Sequence, residues 1–100
     1  MLVDKELIKT MATRLWQGDG ADIAELSKLL DNLTKQMMDG ISRLYKIGVE
    51  FPTQFIMDAM SHTTESIGSR DDFKLADCLY YEWLEIITVY EEVMKETSME

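Results

Sequence analysis

The sequence predicts an all-α protein, a small antiparallel bundle of about four helices at 4–16, 21–47, 52–67 and 71–95 with coiled-coil-like packing. Three observations carry that prediction. Apolar residues recur at alternating three- and four-residue steps through most of the chain, glycines and the single proline interrupt the pattern at three places, and no segment alternates apolar with polar residues as a half-buried strand does. A chain of 100 residues is enough for one core and one domain, 1–100.

The elements can be taken in order. Leu7, Ile8, Met11 and Leu15 mark the first helix, which ends at Trp16 before the turn Gly18-Asp19-Gly20. Asp22 then favours the positive start of a long helix. In that helix Ile23, Leu26, Leu30, Leu33, Met37, Gly40, Leu44 and Ile47 fall on one seam. Only Gly40 breaks the apolar series, and a glycine there either admits a neighbour closely or bends the helix, at about 1 kcal/mol relative to alanine. Gly48 suits the left-handed residue that closes a helix, and Pro52 opens the next one, with Phe55, Ile56, Ala59, Met60 and Ile67 on one side. Gly68 is expected to stop it, and Ser69 with Asp72 resembles a capping box for the last helix.

That last helix has a seam of Ala76, Leu79, Trp83, Ile86, Tyr90 and Val93, and adding Leu75, Tyr80, Leu84, Ile87 and Met94 widens its apolar arc to about half the circumference. The preceding helix is roughly 24 Å long and the last roughly 37 Å. The final turns are therefore expected to outrun their cover and to bury Ile86, Ile87, Tyr90, Val93 and Met94 against a second copy in a two-fold homodimer.

Charge narrows the functional classes. The net charge is −9, and residues 48–100 carry all of the excess, twelve acids against three bases, whereas residues 1–47 balance seven against seven. Nucleic acid and anionic membrane surfaces attract the opposite sign, so neither is expected as a partner. The acidic half is either a solvated face or a contact for a basic partner. No apolar run reaches the roughly 20 residues of a membrane span. One cysteine, Cys78, and a start without a basic, apolar leader point to a reducing cytoplasm.

Catalytic chemistry has little to stand on. His62 is the only histidine, with Asp58 one turn earlier, a thin basis for metal binding or proton transfer. Glu82 and Glu85 lack a histidine partner, the serines and threonines at 61–66 lack an activating base, and no glycine-rich phosphate loop is present. Cys78 is placed on the polar side of the last helix, where Asp77 would make its thiolate harder to form. No enzymatic activity, cofactor, metal or small-molecule substrate is therefore expected.

Recognition remains. Tyr80 and Trp83 point into the apolar arc, toward the core or a dimer seam, while Tyr81 points into the polar stripe and is the better candidate for an exposed contact. Trp16 is either a lid on the bundle end or an anchor for a partner. Met37, Met38, Met57 and Met60 either form an adaptable groove or fill gaps in the core.

Leu75-Ala76-Asp77-Cys78-Leu79-Tyr80-Tyr81-Glu82 resembles a Leu-Ala-Asp-x-Leu-x-Tyr-Glu helix of small helical proteins from Gram-positive, mainly Firmicutes, bacteria. Leu15-Trp16-Gln17-Gly18-Asp19 and Leu29-Leu30-Asp31-Asn32-Leu33 are similar to the earlier part of those proteins, although Trp83 stands where an aliphatic residue is expected. The resemblance implies a bacterial, cytoplasmic helical protein and no transferable activity. Trp16-Gln17-Gly18, with Tyr81 and Glu85, also resembles the Trp-x-Gly family of secreted helical hairpins, whose turn lies midway along the chain whereas here it comes early. An adaptor or dimeric interaction protein is thus expected first, a secretion or flagellar export chaperone receiving a client helix in a methionine-lined groove second, and a secreted hairpin third.

Overall fold

A computed structural model of the chain describes residues 5–19 and 22–97. Asp4 and Ala21, which the expected helix boundaries include, and Gly20 of the expected turn lie outside the described residues. In α1 (Lys5–Trp16) the inward stripe is Ile8, Met11, Ala12 and Leu15, the spacing of a single helical face. Gly18 then takes φ 77°, and the Asp19 amide returns to the Arg14 carbonyl at 3.0 Å, closing the helix end.

The long helix α2 (Ile23–Lys46) opens as its charge pattern requires. The Asp22 carboxylate accepts the Glu25 backbone N–H at 3.1 Å, filling one of the donors a helix start leaves open. Leu26, Leu30, Leu33, Met37, Gly40 and Leu44 are buried along the expected seam. Ile47 lies past the helix end and is exposed. Gly48 supplies the left-handed φ of 84° that turns the chain. The next few residues bring Phe51 back over the core, where it meets Tyr90 edge-on with ring centroids 5.9 Å apart.

Two punctuation marks fall elsewhere than expected. α3 spans Gln54–Gly68, so Gly68 belongs to the helix and the left-handed residue behind it is Arg70, with φ 57°. Asp71, not Ser69, caps the start of the last helix, accepting the Lys74 amide at 3.0 Å. The reason is backbone geometry: a cap needs an extended conformation, which Asp71 has (φ −96°, ψ 92°), whereas Ser69 is still helical and its hydroxyl donates to the Ser66 carbonyl.

The last helix is built of three parts, α4 (Asp72–Asp77), a π-helical turn (Cys78–Trp83) and α5 (Leu84–Glu96). A π turn inserts one extra residue, and here the Leu84 amide reaches back five residues to the Leu79 carbonyl. The inward stripe is thereby delayed by one position. Cys78 and Leu79 face the core at the start of the turn, Trp83 and Leu84 at its end, and Tyr80 and Tyr81 both face outward between them. Cys78 is thus buried and Tyr80 exposed, the reverse of what a regular 3.6-residue period predicts.

α1 runs antiparallel to the last helix, tied at one end by Trp16 Nε1 donating to Asp77 Oδ1 (3.1 Å) and at the other by Lys5 Nζ to Glu91 Oε1 (3.1 Å). α3 runs antiparallel on another side, linked by Lys74 to Glu65 at 3.0 Å. α2 closes the bundle, its Leu30 sharing a cleft with Trp83 and its Gly40 lying under the Tyr90 ring. Among the described residues the architecture is therefore an all-α bundle of four helices rather than a two-helix hairpin, 44 × 22 × 19 Å in extent.

This arrangement corrects the expected dimer seam. Ile86, Ile87, Tyr90 and Met94 are buried by their own chain, at 7, 0, 3 and 6% exposure, and Val93 packs half-buried on the same core. α3 is indeed too short to cover them. α1, the long α2 and the segment around Phe51 continue alongside α5 where α3 ends, and they supply the missing cover.

Candidate functional site

The outward pair created by the π turn is the first element of a surface. Trp16 meets Tyr80 with ring centroids 5.3 Å apart, Tyr80 meets Tyr81 at 5.2 Å, and Trp16 meets Tyr81 at 6.3 Å, all tilted or edge-on as aromatic quadrupoles prefer. Trp16 is half-buried, and with its indole N–H engaged by Asp77 it fastens the end of α1 to α4. Tyr81 is 66% exposed, as its place in the polar stripe predicts.

From Tyr81 a groove runs between α3 and the last helix. Pro52 and Phe55 form one wall and Tyr81 and Val89 the other, over a floor of Phe51 and Ile86, around about 360 Å³. Phe55 is 61% exposed, so a large apolar side chain faces water at the lip. Its position comes from Pro52, which bars a helix before itself, so that α3 begins just beyond with Phe55 on its outward side. Three carboxylates, Asp58, Glu82 and Glu85, share the lining with His62.

His62 Nδ1 lies 2.7 Å from Glu82 Oε1, a contact from α3 to the π turn. Asp58 is occupied by the Gln54 amide at 2.9 Å, so the partner of His62 is not the carboxylate one turn away in sequence. The hydrogen bond and charge of Glu82 raise the imidazole pKa above its ordinary 6.5. Among the described residues no group of three or more His, Cys, Asp or Glu side chains is placed to hold a metal ion.

Cys78 has moved from a surface thiol to a core one, and burial, not Asp77, sets its acidity. Loss of hydration pushes its pKa up to about 12, against a smaller opposing effect of the Thr63 hydroxyl. At neutral pH it is a thiol and a poor nucleophile. It belongs to a buried network in which Trp83 Nε1 donates to Thr63 Oγ1 (2.8 Å), Thr63 Oγ1 donates to the Ala59 carbonyl (2.7 Å), and Cys78 Sγ lies 3.2 Å from Thr63 Oγ1.

Of the two readings of the methionines, groove or core filling, the groove is not assembled. Met37 is fully buried among core side chains, because its seam position on α2 faces the other helices. Met38 is half-buried in a separate depression with Ile41, Tyr45 and Val49, which meets the α3 groove only at Phe51 and Pro52. Met57 and Met60 are exposed on α3. Of the candidate contact residues, Tyr81 alone has its side chain exposed in the groove, Ile86 contributes to the floor, and Ile87, Tyr90 and Met94 are core. Phe55 and Val89 are the groove residues that sequence reasoning did not single out: Phe55 was expected on the covered side of its helix with Ile56 and Ala59 and is exposed instead, and Val89 lies outside the apolar seam of the last helix.

No helix among the described residues is long and apolar enough to cross a membrane. Comparison of the chain with protein families, with curated proteins and with solved structures returned no match.

Proposed function

We propose that the protein is a helical interaction module that takes a segment of another polypeptide into the groove between α3 and the last helix. The observation that carries this is the side-by-side exposure of Phe55, Tyr81 and Val89 above the Phe51 and Ile86 floor. Leaving large apolar groups in water forgoes about 25 cal/mol per Å² of burial, and a partner that covers them recovers it. Aromatic side chains beside a polar rim match the composition of binding hot spots. The homodimer expected from the sequence loses its seam, since Ile86, Ile87, Tyr90 and Met94 are already covered, and the proposed partner is a different polypeptide.

The test is site-specific crosslinking in cells that express the full chain with a photoreactive residue at Phe55, at Val89 or, as a control, at Lys35 on the exposed side of α2. A discrete adduct at Phe55 and Val89, absent at Lys35 and lost when Tyr81→Ala is added, is the expected outcome. Equal labelling at all three positions, or adducts indifferent to Tyr81→Ala, would refute the docking role.

A further inference from the structure

We infer that the occupant of the α3 groove is a basic amphipathic helix; this rests on the groove being a docking site and adds the chemistry of what docks. Three observations point the same way. The charged lining consists of Asp58, Glu82 and Glu85, and the one basic group in that lining, His62, is paired with Glu82 and so offsets a single carboxylate. The acidic character continues past the groove on α5, where Glu85, Glu92 and Glu96 recur at helical spacing on the exposed face that also carries Val89. The twelve-to-three excess of acids over bases in residues 48–100 makes the surrounding field negative as well.

That field selects a partner by sign. A second copy of this chain would bring the same carboxylates face to face, and like charges opposed across an interface are unfavourable. Nucleic acid and anionic lipid are repelled for the same reason. A peptide with lysine or arginine on its polar face meets Asp58 and Glu85 across the rim while its apolar face covers Phe55, Tyr81 and Val89.

The shape selects a helix. No strand edge is available among the described residues for an extended peptide to pair with, and a helix is the occupant that brings its backbone hydrogen bonds already made. The walls are two antiparallel helices, and a third lies in such a trough by the same ridge-and-groove packing that builds the bundle. From Pro52 to His62 on one wall and from Tyr81 to Val89 on the other the lining extends two to three turns, which matches apolar anchors at i, i+3 or i+4, and i+7.

The experiment uses the full chain labelled for NMR and three synthetic helical peptides of about 14 residues, identical on the apolar face and carrying lysine, glutamine or glutamate on the polar face. The lysine peptide is expected to shift the amides of Phe55, Tyr81 and Val89 and to bind at least about tenfold more tightly than the glutamine peptide, since single exposed ion pairs are weak and several must act together. The advantage should fall toward parity at about 0.5 M salt, where screening acts within a few ångströms. Asp58→Asn with Glu85→Gln should remove it, and Glu25→Gln with Asp31→Asn, on exposed α2, should leave it intact. Equal binding of the lysine and glutamine peptides at groove amides would overturn the charge assignment and leave the docking site standing. Failure of all three peptides to perturb those amides would overturn both. Binding lost in the α2 pair and kept in the groove pair would place the contact elsewhere and overturn it too.

Discussion

Thr63 satisfies groups that have no access to water. Its hydroxyl receives the Trp83 indole N–H, donates to the Ala59 carbonyl and lies beside the Cys78 thiol, all inside the bundle. Thr63→Val keeps the shape and removes the acceptor, leaving a buried indole N–H unpaired. Chemical denaturation is expected to show a loss of about 1–3 kcal/mol, where a threonine on the surface would show almost none. At His62 the consequence is a pH dependence. Glu82 raises the imidazole pKa in the folded state above 6.5, so the stabilisation is fully present below 6.5 and is lost as pH rises through the folded value. As the chain has one histidine, an NMR titration reads it directly: a midpoint above 6.5 is expected for the native chain, returning toward 6.5 in Glu82→Gln. A native midpoint at or below 6.5 would show that the pair does not persist in solution. Neither partnership was legible in the sequence, because Thr63 and Trp83 lie 20 residues apart, as do His62 and Glu82, and only the antiparallel pairing of α3 with the last helix joins them.

At the scale of elements, α2 and the last helix depend on each other at one crossing. A Cβ built on Gly40 would overlap the hydroxyl oxygen of Tyr90 and lie 2.8 Å from its Cζ. Helix propensity alone makes Gly40→Ala favourable by about 1 kcal/mol. Overpacking a filled core costs about 1–3 kcal/mol. The substitution is therefore expected to destabilise, and the penalty should shrink when Tyr90→Phe is combined with it, a coupling that a double-mutant cycle measures. A gain in stability for Gly40→Ala would show that the ring moves aside freely. The glycine was visible in the sequence as a break in the seam, with close approach or bending as its two explanations; the Tyr90 ring decides for close approach. The π turn had no such mark. Its effect on Cys78 and Tyr80 is a change of phase within an otherwise regular pattern, and a period counted at 3.6 residues carries straight through it.

For the whole molecule the question is what the bundle leaves uncovered. Ile86, Ile87, Tyr90 and Met94, the seam expected to drive self-association, are covered within the chain itself. Sedimentation at micromolar concentration is expected to give one species near 11.6 kDa, and a dimer would mean that another face carries it.

The all-α class, the four helices, their approximate limits and most of the buried seam were determined by the sequence itself, since they arise from local quantities: apolar spacing, glycine and proline positions, and the charge that opens α2. Which helix covers which, the burial of the last turns and the groove beside Tyr81 were decided only by the tertiary structure. Periodicity states that a face is apolar and says nothing about its neighbour, whereas cover depends on distances between residues that the chain places far apart. Phe55 and Val89 show the limit most directly, being apolar residues of two helices that pair without burying either one.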